Sequence, residues 1–128
     1  MADILVVEDM AGVRQAISSM LKRAGHAVTL TQHGGEGVAA LRSSRFDLVI
    51  TDMLMPGSDG MDVLQQISAM PNHPPVIAIS GGGAGVSAEN ALAAAKLHAN
   101  AFLQKPFERA ELLAVVNQVL EGAYKKQA

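Results

Sequence analysis

Five short apolar runs, each bounded by turn-forming residues, limit what this 128-residue chain can fold into more than any other feature. They are Ile4-Leu5-Val6-Val7, Ala27-Val28-Thr29-Leu30, Leu48-Val49-Ile50, Val76-Ile77-Ala78-Ile79 and Ala101-Phe102-Leu103. Most lack the apolar–polar alternation of a half-exposed strand, so they read as strands covered on both faces of a parallel sheet. Segments with helical spacing separate them. In the last, Leu112, Val115, Val116, Val119 and Leu120 form one apolar stripe. In the first, Val13, Ile17, Met20 and Leu21 do the same, and Gly25 serves as C-cap. A strand–helix order repeated five times predicts a doubly wound α/β domain with a five-stranded parallel sheet, five helices and right-handed crossovers. The fourth helix falls on the alanine-rich stretch 88–98, behind the glycine-rich loop 81–85.

The chain has the size of one domain, and an apolar fraction of 49% is enough for a core and excludes disorder. Aromatic residues make up only 3%, which argues against modules that stack nucleic-acid bases on exposed rings. Ten basic and twelve acidic residues leave a net charge of −2 with no basic stripe, so direct nucleic-acid binding is not expected. There is no cysteine, which excludes disulfides, thiolate metal sites and cysteine nucleophiles. No signal-peptide pattern opens the chain, and no apolar stretch reaches the roughly 20 residues that span a bilayer. A cytoplasmic protein without membrane partners is the expectation.

Ligands of open α/β sheets bind outside the carboxyl ends of the strands. The first strand ends in Glu8-Asp9, the third in Thr51-Asp52, the fourth in Ser80 and the fifth in Gln104-Lys105-Pro106. Three carboxylates, a hydroxyl and an ammonium are thereby expected at one edge. Carboxylates about 5 Å apart repel by roughly 3 kcal/mol per pair at an effective dielectric of about 20. Such a cluster calls for a hard cation, and one leaving positions to water and phosphate oxygens suits Mg²⁺ better than Ca²⁺. Lys105 would hold a phosphoryl oxygen as a point charge and Ser80 would bond another. The edge reads as a phosphoryl acceptor.

Taken singly, each residue has a duller explanation. Glu8 and Asp9 are as well explained as helix caps or solvated loop groups, Asp52 as a turn initiator before Met55-Pro56-Gly57, and Lys105 as a surface lysine. Phe102 is equally a packed strand residue. Only their convergence favours the functional reading. The four histidines show no metal-ligand spacing, and Gly81 to Gly85 fits neither G-x-G-x-x-G nor a Walker loop.

Glu8-Asp9, the run Asp52-Met53-Leu54-Met55-Pro56-Gly57, Ser80 and Lys105-Pro106-Phe107 together resemble the motif set of response-regulator receiver domains, the CheY-like family, in order and spacing over nearly the whole chain. The resemblance implies the flavodoxin-like strand order 2-1-3-4-5. It implies that Asp52 is the phosphoacceptor of a two-component signalling system. Asp9 would ligate Mg²⁺ directly, Glu8 mainly through water, with Asp52 and the Leu54 backbone carbonyl as further ligands. Ser80 and Lys105 would contact the phosphoryl oxygens, Phe102 would be the switch aromatic coupled to Ser80, and Lys105–Pro106 would be a cis peptide.

The same resemblance implies a phosphoacceptor that assists its own phosphorylation and dephosphorylation rather than an enzyme acting on other molecules. Its partners would be a sensor histidine kinase or histidine phosphotransfer protein and a downstream target met by the face of helix 4, strand 5 and helix 5. Residues 1–124 would form the receiver and 125–128 a short tail, with no output domain.

Serine replaces the commoner threonine at Ser80, the stretch from Ser80 to Lys105 is longer than usual by a few residues, and apolar Leu54 stands where a polar residue is frequent. A haloacid-dehalogenase-type phosphatase would need an acid at position 54, where leucine stands. An FMN-binding flavodoxin would need a Ser/Thr/Gly-rich loop where Glu8-Asp9 would repel phosphate. A partner-binding pseudo-receiver would have lost acids or the lysine, all of which are present.

Overall fold

The computed structural model describes residues 2–52, 54–55, 58–80 and 99–127. Along the chain these form β1 (Asp3–Val7), α1 (Ala11–Arg23), β2 (Ala27–Thr31), α2 (Gly34–Ser43), β3 (Leu48–Asp52), β4 (Leu54–Met55), β5 (Ser58–Asp59), α3 (Gly60–Ala69), β6 (Val76–Ser80), β7 (Ala101–Gln104) and α4 (Arg109–Gln127). Five strands make one parallel sheet in the order β2-β1-β3-β6-β7. Counting only those strands, this is the expected order 2-1-3-4-5. The small pair β4–β5 is antiparallel and was not anticipated. The helix expected over 88–98 and the glycine-rich loop before it lie outside the described residues.

The unbroken apolar runs follow from the two layers that cover the sheet. Side chains alternate across a strand. Ile4 and Val6 of β1 pack with Leu48 and Ile50 of β3, Ile77 and Ile79 of β6, and residues of α1 and α4. Leu5 and Val7 pack on the other face with Val49, Val76 and residues of α2 and α3. Both parities are therefore apolar. At roughly 1.5–3 kcal/mol per fully buried aliphatic side chain, the two layers supply the main drive for folding. At the edge the pattern relaxes, and β2 exposes Ala27 and Thr29 while burying Thr31.

Helix α1 ends as expected. Gly25 has φ +93°, the Gly25 N–H donates to the Lys22 carbonyl, and the His26 N–H donates to that of Leu21. These are the two bonds of a Schellman cap. In α4, Leu112, Val116 and Val119 are buried and Val115 and Leu120 half-buried, which is the expected stripe. Among the described residues no helix is long and apolar enough to cross a membrane.

Helix α2 approaches β1 closely at Gly37, where an added Cβ would stand 2.6 Å from Cγ2 of Val7. Gly122 of α4 faces open space. Gly37→Ala should therefore destabilise the domain by about 1–3 kcal/mol through overpacking, whereas Gly122→Ala should stabilise it by about 0.5–1 kcal/mol as alanine replaces glycine in a helix. Denaturant melts of both variants decide this, and a Gly37→Ala protein as stable as the parent would refute the close packing of α2 on β1.

Candidate phosphoacceptor and metal site

Strand register decides which side chains meet. Val7 pairs with Thr51, so the next residues along, Glu8 and Asp52, lie side by side. Both share the parity of the residues facing α1 and α4. Asp52 pairs with Ile79 and Ser80 with Gln104, which brings the ends of β6 and β7 to the same edge. Lys105 follows directly, in a cis peptide with Pro106 as expected.

Glu8 and Asp52 are buried, at 0% and 2% exposure. The Lys105 ammonium lies between them, 3.1 Å from Glu8 Oε2 and 3.1 Å from Asp52 Oδ2. Glu8 is held at three further points. Its N–H donates to the Thr31 carbonyl at 3.1 Å, its Oε1 accepts from the Met10 N–H at 3.1 Å, and its carbonyl accepts from Arg14 Nη1 at 3.0 Å. The same nitrogen donates to the Asp9 carbonyl at 3.3 Å. Asp9 is half-buried, and its Oδ1 is enclosed with no hydrogen-bond partner among the described residues.

Oxygens of Glu8, Asp9 and Asp52 all lie within 4.8 Å of one another. At that separation two carboxylates repel by about 3 kcal/mol, and one ammonium cannot neutralise three. Burial first, and the Asp52 charge second, push the Glu8 carboxyl up to about 7 against the pull of Lys105 and the Met10 N–H. Burial disfavours the Lys105 ammonium, but its bonds to Glu8 and Asp52 and their charges outweigh this, so its pKa is raised. An all-oxygen donor set, excess negative charge and an enclosed, unbonded Asp9 oxygen fit a hard divalent cation.

Glu8, Asp9, Asp52 and Lys105 are thus brought together as the sequence implied. Ser80 ends β6 at the same edge, although its side chain lies outside the described residues. Leu54 lies in β4, opposite Asp59, and its side chain is likewise not described. Phe102 is half-buried, pairs with Ala78 and packs on the α2–α3 side of the sheet. Arg14 escaped the sequence reading. The available signal was a cation in the first turn of α1, where the helix dipole disfavours one.

An apolar groove lined by Val13, Ala16, Ile17, Met20 and Phe107 runs from the site along α1, with Lys105 at its margin. A larger cavity, of about 890 Å³, opens at the opposite edge among Asp3, His26, Phe46, Asp47 and His73. It contains none of the clustered carboxylates, so volume alone does not choose the site.

The response regulator receiver domain family matches residues 4–117. Transcriptional regulatory protein FixJ of Bradyrhizobium diazoefficiens is 33% identical over 120 residues, covering 94% of this chain and 57% of FixJ. Protein PilH of Pseudomonas aeruginosa is 32% identical over 124 residues, covering 95% of this chain and 100% of PilH. The crystal structure of the receiver domain of sensor histidine kinase PA1611 from Pseudomonas aeruginosa, which holds a magnesium ion in its active-site cleft, matches with a TM-score of 0.84 at 32% identity, covering 94% of this chain and 98% of that one. The chain spans about half the length of the first curated relatives it matches. A family match that runs from the first strand into the last helix, on a sheet of the expected order, leaves one assignment: this chain belongs to the response-regulator receiver domains of two-component signal transduction.

Proposed function

We propose that the domain accepts a phosphoryl group on the Asp52 carboxylate from a sensor histidine kinase or histidine phosphotransfer protein, and that Glu8, Asp9, Asp52 and the Leu54 backbone carbonyl hold Mg²⁺ while it does so. The observation that carries this reading is the buried Asp52 carboxylate, 3.1 Å from the Lys105 ammonium and clustered with two further acids. Mg²⁺, when bound, would neutralise the carboxylates and the incoming phosphoryl oxygens. An Asp52 oxygen would attack phosphorus, forming an acyl phosphate as the bond to the donor's imidazole nitrogen breaks; the released imidazole then takes a proton from solvent. Lys105 would move from carboxylate to phosphoryl oxygen, and the Ser80 hydroxyl would bond another. The residues that accept the group also assist its hydrolysis, so the domain acts on itself rather than on a separate substrate.

The groove beside Lys105 supports a donor that lays an apolar helix against α1, and Met10, the N-cap of α1, is 57% exposed. For output we propose that Ser80 and Phe102 form the switch, read by a downstream target on the face that β7 and α4 share with the segment expected to be the fourth helix. The strand pairing supports the coupling, since Phe102 lies opposite Ala78, two residues before Ser80. Residues 1–124 are the proposed receiver unit.

Incubation with acetyl phosphate and Mg²⁺ should add one acid-stable, base-labile phosphoryl group, seen as a single mass increment. Asp52→Asn should abolish it, and equal labelling of that variant would dismiss Asp52 as the acceptor.

The pH dependence of the metal-free protein has a definite sign. The Glu8 carboxyl lies at about 7 in the fold against an ordinary 4.5, so folding favours its protonated form. That contribution to stability is complete below the ordinary value and is lost as pH rises through the folded one. Between about pH 5 and 7.5 the melting temperature without metal should fall more in the parent than in Glu8→Gln, and Mg²⁺ affinity should climb over the same window as the proton leaves. Parallel melting profiles for the two proteins would remove Glu8 as the titrating group.

A further inference from the structure

We propose that Arg14 is a positioning residue that presents the Glu8 and Asp9 carboxylates to the divalent cation, an inference that rests on those carboxylates holding Mg²⁺. Helix α1 opens at Met10 without a side-chain cap and with no acidic residue in its first turn. Arg14 is its fourth residue, and the Arg14 backbone N–H closes the first turn on the Met10 carbonyl at 2.9 Å. A cation at this end opposes the helix dipole, so its place there has another cause.

Helical side chains lean toward the N-terminus, and the Arg14 guanidinium accordingly reaches back beyond the helix. Its Nη1 donates to the carbonyls of Glu8 and Asp9 at 3.0 and 3.3 Å. Each carbonyl belongs to a planar peptide unit. Holding two in succession fixes the planes on both sides of Asp9 and so the direction in which its side chain leaves the backbone. Glu8 has other anchors, through Thr31 and Met10. The Asp9 Oδ1 atom is enclosed and makes no bond of its own among the described residues, so the hold on its backbone aims it.

Arg14 bonds carbonyls, not the carboxylates, and this gives the proposal a sign that separates it from simple charge balance. A nearby cation repels Mg²⁺, so removing the charge alone would tighten metal binding. Losing the positioning would weaken it, and outer partners of metal ligands typically account for about ten- to hundredfold in affinity.

Calorimetric Mg²⁺ titrations of the parent, Arg14→Ala and Arg14→Lys make the test, with metal-free melting curves confirming that each is folded. Arg14→Ala should raise the Mg²⁺ dissociation constant at least about tenfold, and Arg14→Lys, shorter but still a donor, should restore part of the loss. Labelling by acetyl phosphate as a function of Mg²⁺ should show a higher half-saturating concentration in Arg14→Ala with a maximal rate near that of the parent, the pattern of lost binding without lost chemistry. A merely structural role would lower the melting temperature and leave the Mg²⁺ constants unchanged. Unchanged or tighter Mg²⁺ binding in Arg14→Ala, or in Arg14→Lys should the alanine variant not fold, overturns the positioning role and leaves the metal site standing. A parent that binds no Mg²⁺ at millimolar concentration overturns both.

Discussion

The repulsion among three carboxylates at one sheet edge is the constraint that the rest of the structure has to accommodate. Glu8 and Asp52 are buried, Asp9 half-buried, and one lysine reaches two of them. A buried charge without full compensation is strongly unfavourable. The fold tolerates the cluster because its stability comes from elsewhere, in the two apolar layers that sandwich β1, β3 and β6. Beyond the exposed Asp3 that opens β1, those strands carry only apolar side chains until their carboxyl ends, where Glu8, Thr51 and Asp52 appear together. Core and site are therefore successive stretches of the same strands, and packing that fixes Ile4 to Val7 also fixes where Glu8 points.

The acids are also held by their backbones. The Glu8 N–H is bound to the neighbouring strand, its carbonyl to Arg14, and one of its carboxylate oxygens to the Met10 N–H. Each contact restricts a torsion that electrostatic repulsion would otherwise use to separate the charges. Lys105 adds an attractive partner whose ammonium is itself stabilised by the acids it joins. Preorganisation of this kind matters for phosphoryl transfer, where the protein contributes mainly positioning and charge stabilisation.

Much of this was legible in the sequence because it is periodic or motif-like. The strands fall where the apolar runs lie, each longer than its run by one or two residues, and β3 extends through Thr51 to Asp52. That extension explains the burial of Asp52, which belongs to the strand rather than to the turn after it. Gly25 was legible as a cap because glycine at that spacing satisfies local chemistry. The features that were not legible depend on spatial approach. A Cβ at Gly37 would meet Val7 Cγ2 at 2.6 Å only because α2 lies on β1. The β4–β5 pair is too short to carry any period. Arg14 acts on residues preceding its own helix, a contact that only the turn between β1 and α1 creates.

The imbalance of charge at the edge has a consequence for signalling. A site in which Lys105 neutralised all three acids would have little reason to rearrange when a phosphoryl group arrives, but it reaches only Glu8 and Asp52. Here Asp9 keeps an enclosed oxygen without a hydrogen bond and Glu8 carries a carboxyl pushed up to about 7, so the resting arrangement is strained electrostatically. On the proposed function, a cation and a phosphoryl group would supply the missing partners, and the Lys105 ammonium would gain a new anion to follow. The lysine sits directly after β7, three residues beyond Phe102. In the proposed switch, a displacement of its backbone would be delivered first to that strand and then to α4, which begins four residues later. On the proposed function, incomplete compensation at the acidic edge and a short covalent path to the last strand would together allow a local charge change to reach a surface that another protein can read.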